Sequence, residues 1–398
     1  MKITALETIR CDPFPNMLWV QVHTDEGLTG LGEVHFGPGP IETHIHDWAA
    51  QKLIGRDPTQ VEAAQDALAF YLGFTGTGAE MRAHSALDIA LWDIWGQASG
   101  QSLTELLGGA VRDSIPVYNT CAGSDYVRET TGIRPSSFGR NPGKRFDDID
   151  AFLTRADELA HELLEMGITS MKIWPFDFAA EAHGGMTIST AEIETALEPF
   201  TKVRKALGNR MALKAELHGL WHLPAARRIA DALEPFALDW IEDPVRMDHM
   251  GTLAAFSATT TTPVAGGETL GGLPAFRDLI EREAVSVPIM DIGWGGGIGI
   301  ARAVAAMADA FRLPMAFHDC SGPVALAVCA HMAMHCRNVA EQEITRAFYY
   351  GWYEEMVTVL PPLEDGQLSA PDGPGHGLAL RPDFLARQDV HSRTSDGT

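Results

Sequence analysis

The chain has 398 residues, 45% of them hydrophobic, and a formal net charge of −23. This acidity excludes nucleic-acid binding as a predicted function, because no basic run is present to displace the counterions of phosphates. No apolar run approaches the roughly 20 residues that a membrane-spanning helix needs, and the N-terminus lacks a signal-peptide pattern, so we expect a soluble, cytoplasmic protein without membrane contact.

The N-terminal part of the chain predicts a small α+β domain. Residues 2–9 and 17–23 alternate in polarity around the turn-rich CDPFPN, and a second hairpin is predicted with its turn at residues 25–27. Helical periodicity follows over residues 58–72 and again in RAHSALDIALWDIWGQASG. An antiparallel sheet packed against helices would account for these patterns.

Short apolar strands and helices alternate from residue 115 onward. The strands at 115–121 and 168–174 are separated by a polar loop over 124–148 and a helix near 150–165. Ionisable residues then close six apolar runs at intervals of 23 to 27 residues, namely Glu216, Glu242, Glu268, Asp291, His318 and Glu343. One strand, one helix and two short loops fill such an interval, so a parallel βα barrel is predicted.

The length of the chain indicates more than one domain. A barrel of roughly 250 residues leaves a substantial remainder. We predict an N-terminal domain over 1–114, the barrel over 115–352 and a C-terminal segment over 353–398. This last segment begins with a Pro- and Gly-rich stretch that is unsuited to a barrel helix, and we expect it to return to the N-terminal domain.

Three glutamates, Glu216, Glu242 and Glu268, close consecutive predicted strands. The strands of a parallel barrel end at one mouth, so their carboxylates are expected to converge there. Three carboxylates at one point need a cation, and hard oxygen ligands favour Mg²⁺ over Mn²⁺ or Ca²⁺. The alternative is that each is an ordinary strand-end carboxylate in a surface loop, and the regular spacing favours the joint site.

Two histidines are candidate acid/base groups. His318 and Asp291 end neighbouring strands, and an aspartate that holds one imidazole nitrogen raises the basicity of the other, as a general base requires. His218 lies two residues after Glu216 and therefore on the same face, where it could be a second acid/base group. The competing interpretations are a structural histidine for His318 and a loop histidine for His218.

Three further residues are candidates for contact with a substrate. Lys172 and Trp174 share one face of the second barrel strand. Lys172 could neutralise an anionic substrate or intermediate, whereas an indole such as that of Trp174 cannot transfer a proton. His44 either borders the mouth of the barrel or is merely solvated.

Taken in order along almost the whole chain, several motifs resemble the mandelate racemase-like branch of the enolase superfamily. They are GLTGLGE, SALDIALWDIWGQ, LLGG, MKIW, WIEDP, GGETLGG, DIGWGGG, HDCSGP and PDGPGHGLAL. The resemblance implies an α/β fold, a (β/α)₇β modified TIM barrel under an α+β capping domain. It also implies Mg²⁺ held by the three glutamates, an Asp291–His318 dyad that removes the proton α to a carboxylate, and Glu343 as a hydrogen-bonding partner of the substrate carboxylate.

Two departures from the branch bear on the reaction. Glu216 stands where many members have aspartate, and Trp174 stands where racemases have the second lysine of a Lys-x-Lys pair. A racemase needs a base on each face of the carbon, so the loss of that lysine favours a one-base elimination. The Glu216-x-His218 pattern is similar to that of acid-sugar dehydratases, which implies that His218 protonates the departing oxygen and that the product is a 2-keto-3-deoxy acid.

Two alternatives remain open. MKIWPFD, HDCSGPV and AFYYGWY also resemble 3,6-anhydro-L-galactonate cycloisomerases, which share the first step but expel an ether oxygen. A non-catalytic sugar-acid binding protein would bind without exchanging the α-proton. Specificity for the small carboxylate substrate is expected in residues 11–17, 34–46 and 124–148, with Trp174 and His44 as wall residues. We also expect a homo-oligomer, of a size that the sequence does not indicate.

Overall fold

The computed structural model describes residues 1–69, 76–126, 128, 134–135 and 138–397. The predicted helix over 58–72 and the predicted loop over 124–148 therefore lie partly outside the described residues. None of the described helices combines the length and the apolar character needed to traverse a lipid bilayer.

Fourteen strands are formed within the described residues. They are β1 (Ile3–Cys11), β2 (Met17–Thr24), β3 (Thr29–His35), β4 (Ile115–Thr120), β5 (Ser170–Ile173), β6 (Ala212–Glu216), β7 (Trp240–Glu242), β8 (Val264–Gly266), β9 (Val287–Met290), β10 (Ala316–Phe317), β11 (Gln342–Ile344), β12 (Leu363–Glu364), β13 (Gln367–Leu368) and β14 (Val390–Asp396).

Sixteen α-helical segments accompany the strands in the same part of the chain. They are α1 (Pro38–His44), α2 (Ala50–Leu53), α3 (Val61–Leu68), α4 (Ala79–Ser99), α5 (Leu103–Leu107), α6 (Asp148–Glu165), α7 (Asp177–His183), α8 (Thr190–Leu207), α9 (Leu223–Leu233), α10 (Met250–Ser257), α11 (Leu273–Glu281), α12 (Ile292–Gly295), α13 (Gly297–Ala310), α14 (Pro323–His335), α15 (Arg346–Tyr349) and α16 (Pro382–Leu385).

The first sheet is antiparallel and has the strand order β14-β1-β2-β3. The chain's last strand, β14, pairs with β1, so the C-terminal segment ends on the sheet that the N-terminus begins. Helix α4 packs on this sheet and ends at Gly100, whose φ of 70° is the left-handed conformation that glycine adopts at a helix C-terminus. The sheet and helices α1 to α5 form the domain that we call the cap.

The second sheet is a barrel of parallel strands. Strands β4 to β10 pair in chain order, β11 pairs with β4, and a bridge between Met315 and Val339 joins the approaches to β10 and β11. Long helices cover the crossovers after β4 to β10, whereas β11 is followed by the one-turn α15. This arrangement confirms the predicted (β/α)₇β modified TIM barrel beside an α+β domain.

The lower part of the barrel interior is filled by side chains. The Tyr118 ring meets Trp240 edge-on with a centroid distance of 5.3 Å. Beneath them the buried Lys214 ammonium lies 4.3 Å from the Trp240 centroid and is paired with Asp239 at 3.2 Å and with Glu341 at 2.9 Å. This packed floor confines any ligand to the end of the barrel at which the strands terminate.

Hydrogen bonds attach the cap to two barrel helices. The backbone N–H of Ala325, in the first turn of α14, donates to Glu33 at 3.0 Å. The N–H of Gly296, just before α13, donates to Ser85 at 2.9 Å, and that of Ile298 donates to Asp88 at 2.6 Å. The first N–H groups of a helix have no partner within the helix, so these cap side chains satisfy donors that would otherwise be unpaired.

Replacing Asp88 with asparagine should alter the pH dependence of stability. Burial raises the pKa of Asp88 to about 7, from an ordinary value of 3.8. The folded state therefore binds this proton more tightly than the unfolded state does. The resulting contribution to stability is complete below about pH 4 and is lost as the pH rises through about 7. Asparagine keeps an acceptor oxygen but does not titrate, so the variant does not lose this contribution as the pH rises. The unfolding free energy of the variant, relative to that of the native protein, should therefore increase from pH 5 to pH 8.

Chemical denaturation at the two pH values measures this difference. Glu192→Gln is the matched control, because the pKa of this half-buried side chain is lowered to about 2 by hydrogen bonds from Ser189 and it stays ionised throughout. A difference for Asp88→Asn that is the same at pH 5 and pH 8 would contradict the prediction.

Candidate active site

A cavity of about 340 Å³ lies at the ends of the barrel strands, beneath the cap. Residues from both domains line it. They are Phe36, Arg82, Thr120, Tyr126, Lys172, Trp174, Glu216, His218, Glu268, Thr269, Trp294, His318, Cys320 and Glu343. The structure thus brings most of the predicted strand-end residues to one enclosed space.

The carboxylates of Glu216, Glu242 and Glu268 form a buried cluster at the bottom of this cavity. One oxygen from each lies within 4.8 Å of the others. Oε2 of Glu216 is buried and, although Lys172 Nζ lies 3.2 Å away, it accepts no well-directed hydrogen bond from a described residue. Mutual repulsion among buried carboxylates is relieved by a cation, and an all-oxygen donor set suits a hard divalent ion. The cluster therefore fits a divalent metal.

Lys172 is a cation that touches this cluster. Its Nζ lies 2.6 Å from Glu242, 3.0 Å from Glu343 and 3.2 Å from Glu216. Burial opposes the charged form of Lys172, but Glu242 and Glu343 outweigh it and hold the pKa of the ammonium well above its ordinary value. Lys172 is thus a permanent positive charge on the wall of the cavity.

Donors contact both carboxylate oxygens of Glu343. Its Oε2 accepts a hydrogen bond from the Asp319 backbone N–H at 3.0 Å, and Oε1 accepts one from the Thr120 hydroxyl as well as the Lys172 contact. Burial would raise the pKa of Glu343, but Lys172 and His318 outweigh burial and lower it to about 2. Glu343 is therefore ionised and acts as an acceptor.

His318 and Asp291 form one imidazole–carboxylate dyad. Nδ1 of His318 lies 2.7 Å from Asp291 Oδ2, while Asp291 Oδ1 accepts the Trp294 backbone N–H at 2.8 Å. Nε2 of His318 faces the cluster, 3.4 Å from Glu268 Oε2. Burial disfavours protonation, but Glu268 and Glu343 outweigh burial and raise the pKa of His318 well above its ordinary value. Asp291 orients the ring so that Nε2 can exchange a proton with a ligand.

His218 and Asp177 form a second dyad. Nδ1 of His218 lies 2.7 Å from Asp177 Oδ2, and the His218 backbone N–H donates to Glu216 at 2.7 Å. Burial opposes protonation, but Asp177 and Glu216 raise the pKa of the ring to about 10. Strands β6 and β10 lie on opposite sides of the barrel, so the two dyads face one another across the carboxylate cluster. His218 is protonated at neutral pH and can act as an acid.

Asp177, the partner of His218, was not among the residues predicted from the sequence. It is the first residue of α7, three positions after Trp174. The segment WPFD that contains it contributes to the family resemblance but gives Asp177 no role. An acidic residue directly after a strand that carries Lys172 is a signal that could have identified Asp177.

Aromatic and cap residues complete the walls of the cavity. The Trp174 ring meets His218 edge-on at 5.7 Å, and the Trp294 ring packs against His318 at 5.0 Å. Of the segments expected to govern specificity, 34–46 supplies Phe36 and 124–148 supplies Tyr126, whereas no described lining residue comes from 11–17.

His44 lies in a different environment from the predicted one. It is in α1, and its Nε2 is 3.2 Å from Nε2 of His84. Its ring also packs near Trp48, at 6.4 Å. Among the described residues His44 is not one of those that line the cavity, so it has no place in the substrate site proposed below.

Two family models match this chain. Residues 155–384 match the enolase C-terminal domain-like family, and residues 5–108 match the N-terminal domain of mandelate racemase / muconate lactonizing enzyme. The first match alone covers more than half of the chain, and together the two cover both the cap and the barrel.

Individual proteins and structures match over nearly their full length. D-galactonate dehydratase of Ralstonia pickettii is 29% identical over 96% of this chain and 92% of its own length, and that of Pectobacterium atrosepticum is 26% identical over 98% and 95%. An enolase of the mandelate racemase subgroup from Agrobacterium tumefaciens, solved with a succinimide residue, has 45% identity, a TM-score of 0.89 and coverage of 100% and 99%. An enolase protein from Sargasso Sea environmental sequencing has 37% identity, a TM-score of 0.88 and the same coverage.

Proposed function

We propose that this chain, which belongs to the mandelate racemase / muconate lactonizing enzyme branch of the enolase superfamily, is an enzyme that dehydrates a sugar acid to a 2-keto-3-deoxy acid. The observation that carries the proposal is the pair of imidazole–carboxylate dyads on opposite sides of a carboxylate cluster. One dyad can accept the α-proton and the other can donate a proton to the departing hydroxyl. The similarity to D-galactonate dehydratases over nearly the whole chain supports the same reaction class.

Glu216, Glu242 and Glu268 would hold the metal, and Mg²⁺ is the ion that this oxygen donor set favours. Bound there, a divalent ion supplies Lewis-acid stabilisation of the charge that develops on the substrate carboxylate when the α-proton is removed. Lys172 adds a second positive charge on the same wall. Assembly into a homo-oligomer and a cytoplasmic location stay predictions from the sequence.

His318 performs the first step of the proposed reaction. A cation held by Glu268 would offset the negative charge that raises the pKa of His318 and would free Nε2 to act as a base. Nε2 then takes the proton from C2 of the substrate, and Asp291 stabilises the resulting imidazolium through Nδ1. The ammonium of Lys172 stabilises the negative charge on the carboxylate oxygens. An ionised Glu343 would repel that carboxylate, so we assign Glu343 to hold Lys172 and to accept a hydrogen bond from the substrate's C2 hydroxyl.

His218 performs the second step. The protonated ring gives its proton to the hydroxyl that departs from C3, which leaves as water, while Asp177 holds the ring through Nδ1. The remaining enol loses the proton of its C2 hydroxyl to solvent, takes up a proton at C3 and becomes the 2-keto-3-deoxy acid. Trp174 borders His218 and cannot transfer a proton, so it adds no second base on that side. The substrate therefore faces one base, His318, and one acid, His218, as an elimination requires.

The experiment that tests the proposal is mass spectrometry of the purified protein with Mg²⁺ and a library of hexonates, hexarates and 3,6-anhydrohexonates. A product lighter by one water and carrying a 2-keto group is expected. A 2-keto product of unchanged mass from an anhydro acid would make the protein a cycloisomerase instead. Saturable binding with no exchange of the α-proton in D₂O would make it a binding protein.

Replacing His218 with asparagine should separate the two steps. Without its acid the enzyme should eliminate water about 10²- to 10⁴-fold more slowly, while His318 continues to exchange the α-proton of the substrate with D₂O. Deuterium at C2 of recovered substrate and formation of the keto acid are measured in the same sample. His222→Asn, an exposed histidine just beyond the same strand, is the control. Equal losses of exchange and elimination would contradict the assignment of His218 as the acid.

A further inference from the structure

Arg82 is a second strong cation in the wall of the cavity, on the side away from Lys172. It belongs to helix α4 of the cap. Among the described lining residues, Lys172 and Arg82 are the cations other than histidine. Lys172 is paired with three glutamates, whereas Arg82 forms no ion pair within the part of the chain that the structure describes.

The Arg82 guanidinium is nevertheless held in place. Its Nη1 donates to the backbone carbonyls of His35 at 2.6 Å and Phe36 at 3.3 Å, and its central carbon lies 4.5 Å from the centre of the Trp294 ring. These contacts fix the plane of the guanidinium but engage Nη1 alone. Nε and Nη2 donate to no described residue, so two N–H-bearing nitrogens are available to a ligand.

Burial lowers the pKa of Arg82, and Asp291 and Glu268 oppose this shift from a distance, but neither forms an ion pair with the guanidinium within the described residues. A ligand carboxylate would supply the direct partner that a half-buried cation needs. The planar fork of arginine matches a carboxylate with two parallel hydrogen bonds. Stacking on Trp294 and anchoring to the cap backbone reduce the side-chain entropy that such binding would otherwise lose. The environment of Arg82 is therefore that of a preorganised carboxylate site.

The position of Arg82 limits the length of the ligand. Trp294 contacts both the guanidinium, at 4.5 Å, and the His318 ring, at 5.0 Å. Arg82 and His318 are thus separated by no more than the sum of these two distances. The terminal carboxyl carbons of an extended six-carbon diacid are roughly 6 Å apart, from a C–C bond length of about 1.5 Å. Such a molecule can present C2 to His318 and its far carboxylate to Arg82.

We infer that Arg82 binds the distal carboxylate of a six-carbon sugar diacid, so that the enzyme acts on a hexarate in preference to the corresponding hexonate. The inference rests on the proposed dehydration and adds its substrate class. A dianion approaching a chain of net charge −23 requires a cation at each end. Lys172 and the metal site serve the reacting end, and Arg82 serves the other.

The test compares acids that differ only at C6, such as D-galactonate and galactarate, together with other pairs matched from C2 to C5. The native enzyme should show a kcat/KM at least about 100-fold higher for the diacid of the accepted pair, as expected for a charge-assisted bidentate contact. Arg82→Met should remove this preference by lowering kcat/KM for the diacid about 100-fold, with less than about a 5-fold change for the hexonate. Arg82→Lys should lie between the two, because it keeps the charge but loses the fork.

Lys52→Met is the matched control, since it removes a cap cation that lies 4.9 Å over Trp48 outside the cavity. Equal losses for both acids in Arg82→Met, or a native preference for the hexonate, would overturn the inference while leaving the dehydration intact. The absence of keto acid and of α-proton exchange from every acid tested would instead overturn the proposed function itself. Titration calorimetry with an unreactive diacid tests the same inference without turnover. Binding of the diacid should be lost in Arg82→Met and retained in Lys52→Met.

Discussion

Replacing His318 with asparagine is expected to lower turnover by about 10⁴-fold, the upper end of the range for loss of a general base. Asparagine cannot accept the α-proton at neutral pH, so exchange of that proton with D₂O should cease as well. The whole reaction depends on this step, whereas loss of His218 should stop only the elimination. Steady-state rates and deuterium at C2 of recovered substrate measure the two effects.

His335→Asn is the matched control, because this half-buried histidine of α14 lies outside the cavity and bonds the carbonyl of Gly109. Mg²⁺ affinity and the far-UV circular dichroism spectrum of His318→Asn should stay within error of the native values. Residual proton exchange at a substantial fraction of the native rate would mean that another group is the base. The turnover of Asp291→Asn should lie between that of the native enzyme and that of His318→Asn. This variant keeps the imidazole of His318 but loses the carboxylate that orients it.

Replacing Glu268 with glutamine is expected to weaken Mg²⁺ binding by at least about 100-fold, beyond the range found for groups that only support a ligand. The substitution removes one anionic oxygen from the cluster and keeps the shape of the side chain. Glu268 makes fewer contacts than Glu242, which bonds both Lys172 and the Trp240 indole, so the effect should be on the metal rather than on folding. Titration calorimetry with Mg²⁺ measures the Kd directly.

The control for this variant is Glu341→Gln on the floor of the barrel, which also removes a half-buried negative charge that is paired with Lys214. Chelation of metal from the native protein should abolish dehydration, and addition of Mg²⁺ should restore it. An unchanged Kd in Glu268→Gln would show that Glu268 is not a ligand, whatever happened to the rate.

The barrel and the glutamate cluster were predictable because one physical rule connects them to the sequence. Each of Glu216 and Glu242 closes an apolar run, and parallel strands of a barrel terminate at one end. Spacing along the chain was sufficient for these glutamates, since the barrel repeats the same unit. His218 also lines the cavity, but it lies two residues beyond the end of β6 with a φ of 48°, so a turn and not the alternation of a strand directs its side chain.

The rest of the site depends on contacts between distant parts of the chain. Arg82 comes from α4, whose other side chains pack on the sheet or bond barrel helices, and nothing in its helical periodicity distinguishes a residue that faces a cavity in another domain. Trp294 lies in α12, a single turn in a glycine-rich segment after β9, which is too short for periodicity to give a direction for the side chain. His44 had the residue type of a wall residue but pairs with His84. Residue type and spacing do not encode such contacts.

The attachment of the cap bears on how substrate reaches the cavity. Glu33, Ser85 and Asp88 bond the first turns of α13 and α14, the helices that follow Asp291 and His318. Lifting the cap on that side would leave several buried donors unsatisfied, at about 1–3 kcal/mol each. We therefore expect the cap to stay attached above β9 and β10 and substrate to enter on the opposite side of the cavity, where β5 and β6 end.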